Sequence, residues 1–583
     1  MSLIDLASLV LAPTATKEGK VYSAIPDTGE GDMTFTRGSS ATRVNSAGLI
    51  EKERANFLLQ SNTFDTTWFN TSSTETGGQS GYDGSNNAWL LSKSALGGKI
   101  RQNISVSGVK TFSLYSKANA SNWIAITFNT AQSFAYFDLS SGALGSAGTE
   151  IIDYNIQSVG GDWYRVSLST AISQTAIDIY VADGNNDVTG TSGSIYIQDA
   201  MLNEGLVAQP YIPTTTTAVY EGITDDVPRV DYSGGGCPSL LLEGQRSNLA
   251  VYSEYIGSAW NPYGNISIAT NAATSPEGVQ NATEISAAST TTASIGIQDG
   301  FAVTANTDYT ISFFAKKGDF RYIQLFHGGS QVTSNPRTNF DIQEGVVAYE
   351  ESGVVTAIVE DYGNGWYRCT ATMEALLTNL QAYIAVVPNA DAARGESISA
   401  TAGENYYIYG IQIEEGSYVS SYLPTYGTST TRVADSCSKT GISSLLNPSE
   451  GAVFLEINTF DNGTTSKVFT IGDGTGNRIQ VFYYEDSIRL NFTSGGTSYA
   501  YFNHALTDVN DIIKVAVSYA NNDIRMYVNG VLTNSDTSAT MPSTLSYARF
   551  DNGSGGSLFY GNIKQSLIFP TALTNTQLQE LTK

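Results

Sequence analysis

Apolar and polar side chains alternate along most of this chain in short runs closed by Gly, Asn, Asp and Ser. That is the period-two pattern of β-strands, and runs of helical period are nearly absent. The clearest run occurs twice. Gly160-Gly161-Asp162-Trp163-Tyr164-Arg165 leads into Val166-Ser167-Leu168, and Gly363-Asn364-Gly365-Trp366-Tyr367-Arg368 leads into Cys369-Thr370-Ala371. Period two places Tyr164, Val166 and Leu168 on one face, as it does Tyr367, Cys369, Ala371 and Met373; this apolar face is the expected core. The other face carries Trp163 and Arg165 in one copy, Trp366 and Arg368 in the other. Each Trp–Arg pair, two residues apart, is expected to stack as a cation–π pair. It reads as a lock on the outer sheet, with a sugar platform as the alternative.

The same alternation marks further strands. Val21–Ile25 and Met33–Thr36 flank the Asp27–Asp32 turn. Val453–Ile457, Ile513–Val517 and the Ile524–Val528/Val531–Thr533 hairpin, with Asn529-Gly530 as a type I′ turn, lie near the C-terminus. Thr574-Asn575-Thr576-Gln577 is a capping box that predicts a short helix. Thr42-Arg43-Val44, Pro228-Arg229-Val230 and Thr431-Arg432-Val433 are three similar joints, and Ser233–Gly236 reads as a linker.

The middle of the chain is a duplication. Arg54-Ala55-Asn56, Ser61 and Trp68 match Arg246-Ser247-Asn248, Ser253 and Trp260 in order and spacing. Asp83-Gly84 matches Glu277-Gly278, the Trp-Tyr-Arg strands match, and Glu204-Gly205, Tyr211 and Pro213 match Glu415-Gly416, Tyr422 and Pro424. The offset between copies only grows, so the second copy carries loop insertions. The expected division is an arm at 1–54, a β-sandwich at 55–222, a linker at 223–245, a second sandwich at 246–436, a linker at 437–450 and a jelly roll at 451–583. The fold class is all-β, multi-domain. An arm too short for its own core needs either a neighbouring domain or another chain.

Composition narrows the function. Only 15% of the 583 residues are charged, against roughly 25% in average soluble proteins, and 34 are Tyr, which suits a hydrogen-bonding β surface. A net charge of −25 disfavours nucleic acid and anionic membranes as partners. No apolar run reaches the ~18 residues of a membrane span. The apolar Ser2–Leu11 stretch carries Asp5 where an export signal needs basic residues, so it reads as structural. Cys237, Cys369 and Cys437 form no disulfide framework or zinc spacing, which points to folding in a reducing cytoplasm. The chain's histidines, His327 and His504, pair with no obvious nucleophile, and Gly-x-Ser-x-Gly, Walker and His-Glu-x-x-His motifs are absent. His327-Gly328-Gly329 echoes an oxyanion loop but reads as a turn after a strand. No enzymatic activity and no cofactor are expected.

The repeated Asp-Gly/Asn-Ala segment, Gly-x-Trp-Tyr-Arg strand and final strand ending Glu-Gly resemble carbohydrate-binding-module sandwiches. The Tyr527-Val528-Asn529-Gly530 hairpin, with Gly561-Asn562-Ile563-Lys564 and Leu573-Thr574, is similar to laminin-G or concanavalin-like jelly rolls. The arrangement, with Thr36-Arg37-Gly38-Ser39-Ser40-Ala41-Thr42-Arg43-Val44 near its start, resembles fibre and appendage proteins of tailed bacteriophages. This resemblance implies a virion protein, assembled in the host cytoplasm and commonly trimeric. It would dock to other virion proteins through the N-terminal arm and bind host-surface polysaccharide.

Sugar binding needs aromatic faces with amides and carboxylates beside them. Trp68 and Trp260 occupy equivalent positions and read as structural. Trp89 and Trp123, without Trp counterparts, are glycan-binding candidates. So are Tyr407 and Tyr409 of the Tyr406–Tyr409 strand, unless that strand packs between two aromatic layers. A structural calcium ion is the open cofactor question. The Asp83 and Glu277 loops are candidates by resemblance, Asp473 is a candidate ligand, and Asp183–Asp187 reads as an Asx turn. The expected function is a phage head or tail appendage displaying lectin-like domains. A purely structural decoration protein and a secreted polysaccharide-binding protein are the alternatives.

Overall fold

The computed structural model describes residues 2–257, 259–328, 331–332 and 336–583. Gly329 of the expected post-strand turn lies outside the described residues. Among them, the helical elements with described bounds are a 3-10 turn at Leu3–Leu6 and an α-helix at Asn575–Leu581. Thr574 and Gln577 cap the latter reciprocally. The rest is antiparallel β-structure, so the chain is all-β.

Two sandwiches share one topology. In the first, one six-stranded sheet runs, in hydrogen-bonding order, Ala143–Ala147, Ala135–Asp138, Trp123–Thr127, Gln174–Ala182, Lys99–Val106 and Phe69–Thr71. The other runs Asp153–Gly160, Trp163–Thr170, Lys110–Ala118, Gly193–Glu204, Ala88–Lys93 and Ser73–Gln79. Strand for strand, the second sandwich repeats this order, from Val346–Glu350 to Asn261–Tyr263 and from Val354–Asp361 to Ile266–Ala273. The duplication in sequence is therefore a duplication of fold.

The inner faces follow the alternation. Phe112, Leu114, Val166, Leu168, Ile177 and Ile197 fill the first core, with Tyr164 at its margin. Ile311, Phe313, Cys369, Ala371, Met373 and Ile384 fill the second, with Tyr367 at its margin. Both Trp-Tyr-Arg strands start from three successive left-handed residues, Gly160, Gly161 and Asp162 in one copy and Gly363, Asn364 and Gly365 in the other. Gly, Asn and Asp are the residues that adopt this conformation at least cost, which explains their retention at this turn.

The segments expected as arm and linkers are built into the C-terminal domain. Leu9–Lys17 pairs with Gly561–Phe569 on one side and Lys20–Ile25 on the other; Met33–Thr36 then pairs with Ser436–Thr440. These strands join the two halves of the C-terminal sandwich into one sixteen-stranded sheet. Arg229–Asp231 and Ser239–Leu242, within the expected linker 223–245, extend it. Leu9, Leu11, Val21, Met33 and Phe35 are all at most 2% exposed in its core. Each such side chain contributes about 1.5–3 kcal/mol by burial. Of the two partners available to a short arm, its own chain supplies the one used. Both edges of the Met33–Thr36 strand are occupied, so strand pairing with another protein is closed there.

Where these segments cross, buried charges interlock. Arg37 lies 3.3 Å from Asp435, Arg432 lies 2.9 Å from Glu243, and Arg229 pairs with both Glu243 and Asp435. All five residues are at most 2% exposed. Arg229 and Arg432 come from two of the three similar joints. The third joint contributes no arginine, because Thr42 and Val44 point inward and turn Arg43 outward to Glu51; Arg37, five residues before Thr42, joins the cluster instead. A second cluster ties Lys52 to the second sandwich through Glu254 at 2.9 Å and Glu277 at 2.5 Å.

Candidate functional site

The Trp-Tyr-Arg strands place their tryptophans on the outer face of the sheet, where they are covered. Trp163 is 4% and Trp366 1% exposed. The arginines stack on the facing strand and not on the tryptophan. Arg165 lies 5.5 Å over Tyr115, and Arg368 lies 5.4 Å over Phe314. In both copies the aromatic residue is the direct cross-strand partner of the arginine. Directly opposed side chains sit about 4.5–5.5 Å apart at Cβ, whereas i and i+2 on one strand are about 6.6 Å apart. The nearer ring takes the cation. Tyr82 closes the first copy, stacked 3.8 Å from Tyr115.

Trp89 shares its strand face with Leu91 and forms a wall of the first core. Its Nε1 donates to Asn62 O at 3.0 Å, and its ring edge meets Phe64. A Cβ at Gly77 would approach that ring to 3.3 Å, so the neighbouring strand covers it. Trp68 and Trp260 are buried and make equivalent bonds, from Nε1 to Gln60 O and to Tyr252 O, each 3.2 Å. Trp123 lies on the outer face with Phe134, Tyr136, Tyr180 and Val188, a patch rimmed by Lys99, Arg101 and Asp178. Gly145 backs the Trp123 ring, and Asn185, which accepts bonds from Ser146, lies against Gly145. Tyr406 is in the second core, Tyr407 is half-buried outside it, and Tyr409 is 1% exposed under Ile50 and Tyr422. The Tyr409 hydroxyl donates to Glu254 at 3.0 Å and to Glu277. The strand therefore packs between two aromatic layers, and Tyr409 has no face for a ligand.

The three acids considered for calcium are committed to protein partners. Asp83 accepts from Ser85 and Gln198, and the Ser85 hydrogen bond leads in holding its carboxyl below the usual range. Glu277 meets the Lys52 ammonium; burial pushes its pKa up, with Lys52 opposing. Asp473 accepts from Thr475, Asn477 and Thr544, and these bonds overcome the opposing effect of burial to hold it well below the usual range. Among the described residues, no three His, Cys, Asp or Glu side chains converge on one point. The donor sets do not fit a calcium ion. Asp183 instead binds Lys93, and Asp187 binds Thr189. His327 is buried, and burial pushes its pKa down to about 3, so it is a neutral core residue.

An exposed aromatic platform exists elsewhere, on the C-terminal domain. Strands Arg478–Tyr483, Ser487–Ser494 and Thr497–Ala505 are adjacent. Ile479, Val481, Leu490, Phe492, Ala500 and Phe502 point inward. The opposite face carries the buried Gln480 and Phe482, the half-buried Arg489 and Asn491, and the exposed Tyr501. Tyr501 is 58% exposed, 6.3 Å from the Phe482 ring, and accepts a hydrogen bond from Arg489 Nη1 at 3.1 Å. Arg489 is fixed by Ser487 Oγ at 2.9 Å and by the Tyr484 ring at 4.3 Å. Asn491 donates to Gln480 at 3.3 Å and accepts from Ser498 at 3.0 Å. A bare ring beside preorganised guanidinium, amide and hydroxyl groups matches the two faces of a pyranose, apolar C–H and polar O–H. Tyr501 was not singled out from sequence. The available signal was the alternation of Ala500 and Phe502 with Tyr501 and Asn503.

Residues 438–579 match a family described as the concanavalin A-like lectin/glucanases superfamily. A comparison with curated proteins returned no match. Among solved structures, the chain is similar to the Ruminococcus gnavus IT-sialidase CBM40 bound to alpha2,3 sialyllactose. The identity is 13%, covering 24% of this chain and 84% of that one, with a TM-score of 0.22. Domain 4 of AbnA, a GH43 extracellular arabinanase from Geobacillus stearothermophilus, in complex with arabinotriose, is 17% identical over 26% of this chain and 73% of that one, with a TM-score of 0.22. The receptor binding domain of botulinum neurotoxin mosaic serotype C/D is 13% identical over 25% and 39%, with a TM-score of 0.21.

Proposed function

We propose that the protein is a non-enzymatic glycan-binding protein that works as an adsorption appendage of a tailed-phage particle. The observation that carries the binding reading is Tyr501. A tyrosine left 58% exposed among fixed polar groups, on the domain that matches a lectin and glucanase superfamily, is placed to stack on sugar. Singly exposed aromatic rings are ordinary on protein surfaces, and Phe69 and Tyr220 are about as bare; the fixed guanidinium, amide and hydroxyl groups beside Tyr501 are what set it apart. The virion reading rests on the resemblance of the sequence to phage appendages. Because the N-terminal strands are spent inside the fold, contact with neighbouring virion proteins is assigned to the exterior of the sandwiches. The assembly is expected to be a trimer by light scattering.

The test is a glycan array with the full chain, followed by competition of particle adsorption with the sugars retained. Saturable binding lost in Tyr501→Ala supports the reading. Absence of any sugar-competed binding, with the chain present in purified particles, would leave a decoration protein instead.

A further inference from the structure

Between the two sandwiches lies a cleft of about 530 Å³, lined from the first by Asn155, Gln157, Arg165 and Ser167 and from the second by Thr270 and Gln280. Its size falls within the ~300–1,000 Å³ typical of small-ligand sites. Asn271 bridges the modules at one end, donating to Asp153 at 2.7 Å and to Leu206 O at 3.2 Å. Asn271 is left-handed, with φ of 56°, at a register shift of its strand, and its buried Oδ1 has no hydrogen-bond partner.

The duplication exposes an asymmetry here. In the second sandwich, Arg368 faces Glu360 directly across the strand pair, and their charges interact. In the first, the equivalent residue across from Arg165 is Gln157. Arg165 donates from Nη2 to Ser113 Oγ at 3.0 Å and to Gln209 O. Its buried Nε has no partner, as is also true of Arg368, and among the described residues neither arginine has a carboxylate within ion-pair distance; the difference is the residue across the strand, Gln157 here and Glu360 there. Asp153 lies four residues along the strand from Gln157, roughly 13 Å away, and is held by Asn271. One copy of the module thus sets a buried carboxylate across from its strand arginine, where their charges interact without forming an ion pair. The other leaves it lining an amide- and hydroxyl-rich cleft whose only carboxylate among the described residues, Asp153, sits at the Asn271 end.

We infer that this cleft is a second binding site, specific for a carboxylated sugar unit of an oligosaccharide, with Arg165 meeting the carboxylate and the surrounding amides meeting the hydroxyls. This extends the glycan-binding reading to a second site and does not depend on Tyr501.

The test is an array of uronate- and other carboxylate-bearing oligosaccharides, each beside its carboxyl-reduced counterpart, probed with the full chain. Parent and Tyr501→Ala proteins should retain the carboxylated members over the reduced ones. Gln157→Glu installs the arrangement that the second sandwich already folds with, so it keeps the fold and fills the charge. It should weaken binding of the carboxylated members by roughly tenfold or more, the scale of one lost charge-assisted pair. Arg165→Gln should do the same. Equal retention of reduced and carboxylated sugars, no retention of any carboxylated sugar, or unchanged binding in Gln157→Glu would each overturn the site. Loss in Tyr501→Ala alone would reject this cleft while leaving the lectin reading intact.

Discussion

At the residue scale, exposure and partners separate the aromatic side chains buried in the fold from Tyr501, which is 58% exposed. Tyr501 lies on a register-fixed strand and its contacts with Arg489 and Phe482 are at the surface. Tyr501→Ala should therefore move the unfolding midpoint little while weakening glycan binding roughly tenfold; paired calorimetry and titration check both. Trp366 is the opposite case. It is 1% exposed, and its Nε1 donates to Thr274 O at 2.9 Å, so Trp366→Ala should cost about 3–5 kcal/mol in denaturant unfolding. The sequence made the two Trp-Tyr-Arg strands legible because period two needs no tertiary knowledge. It misassigned the arginine's ring partner, which depends on strand register. It also put Trp89 and Tyr409 among the ligand candidates because their cover, the paired strand at Gly77 for one and the remote Ile50 for the other, is set by strand register and tertiary packing.

Glu53 supplies a pH prediction at the same scale. Burial first, then the like charges of Glu204 and Asp225, push its pKa from 4.5 to about 7. Asp199 is likewise raised from 3.8 to about 6, chiefly by burial. An acid that binds its proton more tightly when folded favours the folded state as pH falls toward its unfolded value. Thermal stability should therefore increase as pH is lowered from 7 toward 4.5. Glu53→Gln should be more stable than the parent at pH 8 and should flatten the slope across that window; a parent stability that instead rises from pH 5 to 8 would contradict it.

At the element scale, the strands Leu9–Lys17, Lys20–Ile25 and Met33–Thr36 are the seam of the C-terminal sandwich. Deleting residues 2–36 should leave the Ser566–Ile568 part of one edge and the Ser436–Ser438 edge unpaired and the core open where Leu9, Leu11 and Phe35 sat. Aggregated or protease-sensitive C-terminal domain is the expected outcome, read by limited proteolysis with mass analysis. The sequence marked two of these strands and the Asn529-Gly530 hairpin, since local alternation and turn chemistry define them. Their destination lay more than five hundred residues away in the chain for Leu9 against Ile568, and no local pattern reports such a pairing.

At the scale of the whole molecule, the Arg37–Arg229–Arg432 cluster with Glu243 and Asp435 is the knot among N-terminal segment, inter-sandwich segment and C-terminal domain. Truncating Arg229 leaves two buried carboxylates short of a partner. Arg229→Ala should cost about 3–5 kcal/mol in unfolding free energy. Arg43→Ala, which removes a surface pair, should change it by less than about 1 kcal/mol. The rhyme of the three joints hinted at a shared role, but which arginine turned inward was set by the burial of Thr42 and Val44.

The seam also has a consequence for synthesis. The two sandwiches are guests set inside a host domain whose first and last strands must meet. At about 5–20 residues per second, the ribosome reaches the Gly561–Phe569 strand roughly 30–110 s after Leu9–Lys17 has been made. During that interval the guests can fold, while Leu9, Leu11, Val21, Met33 and Phe35 remain without their core. A nascent chain halted before Gly561 should therefore carry two finished sandwiches and a sticky, protease-open leading segment. Chaperone occupancy on the translating ribosome should concentrate there and disappear once the closing strand emerges.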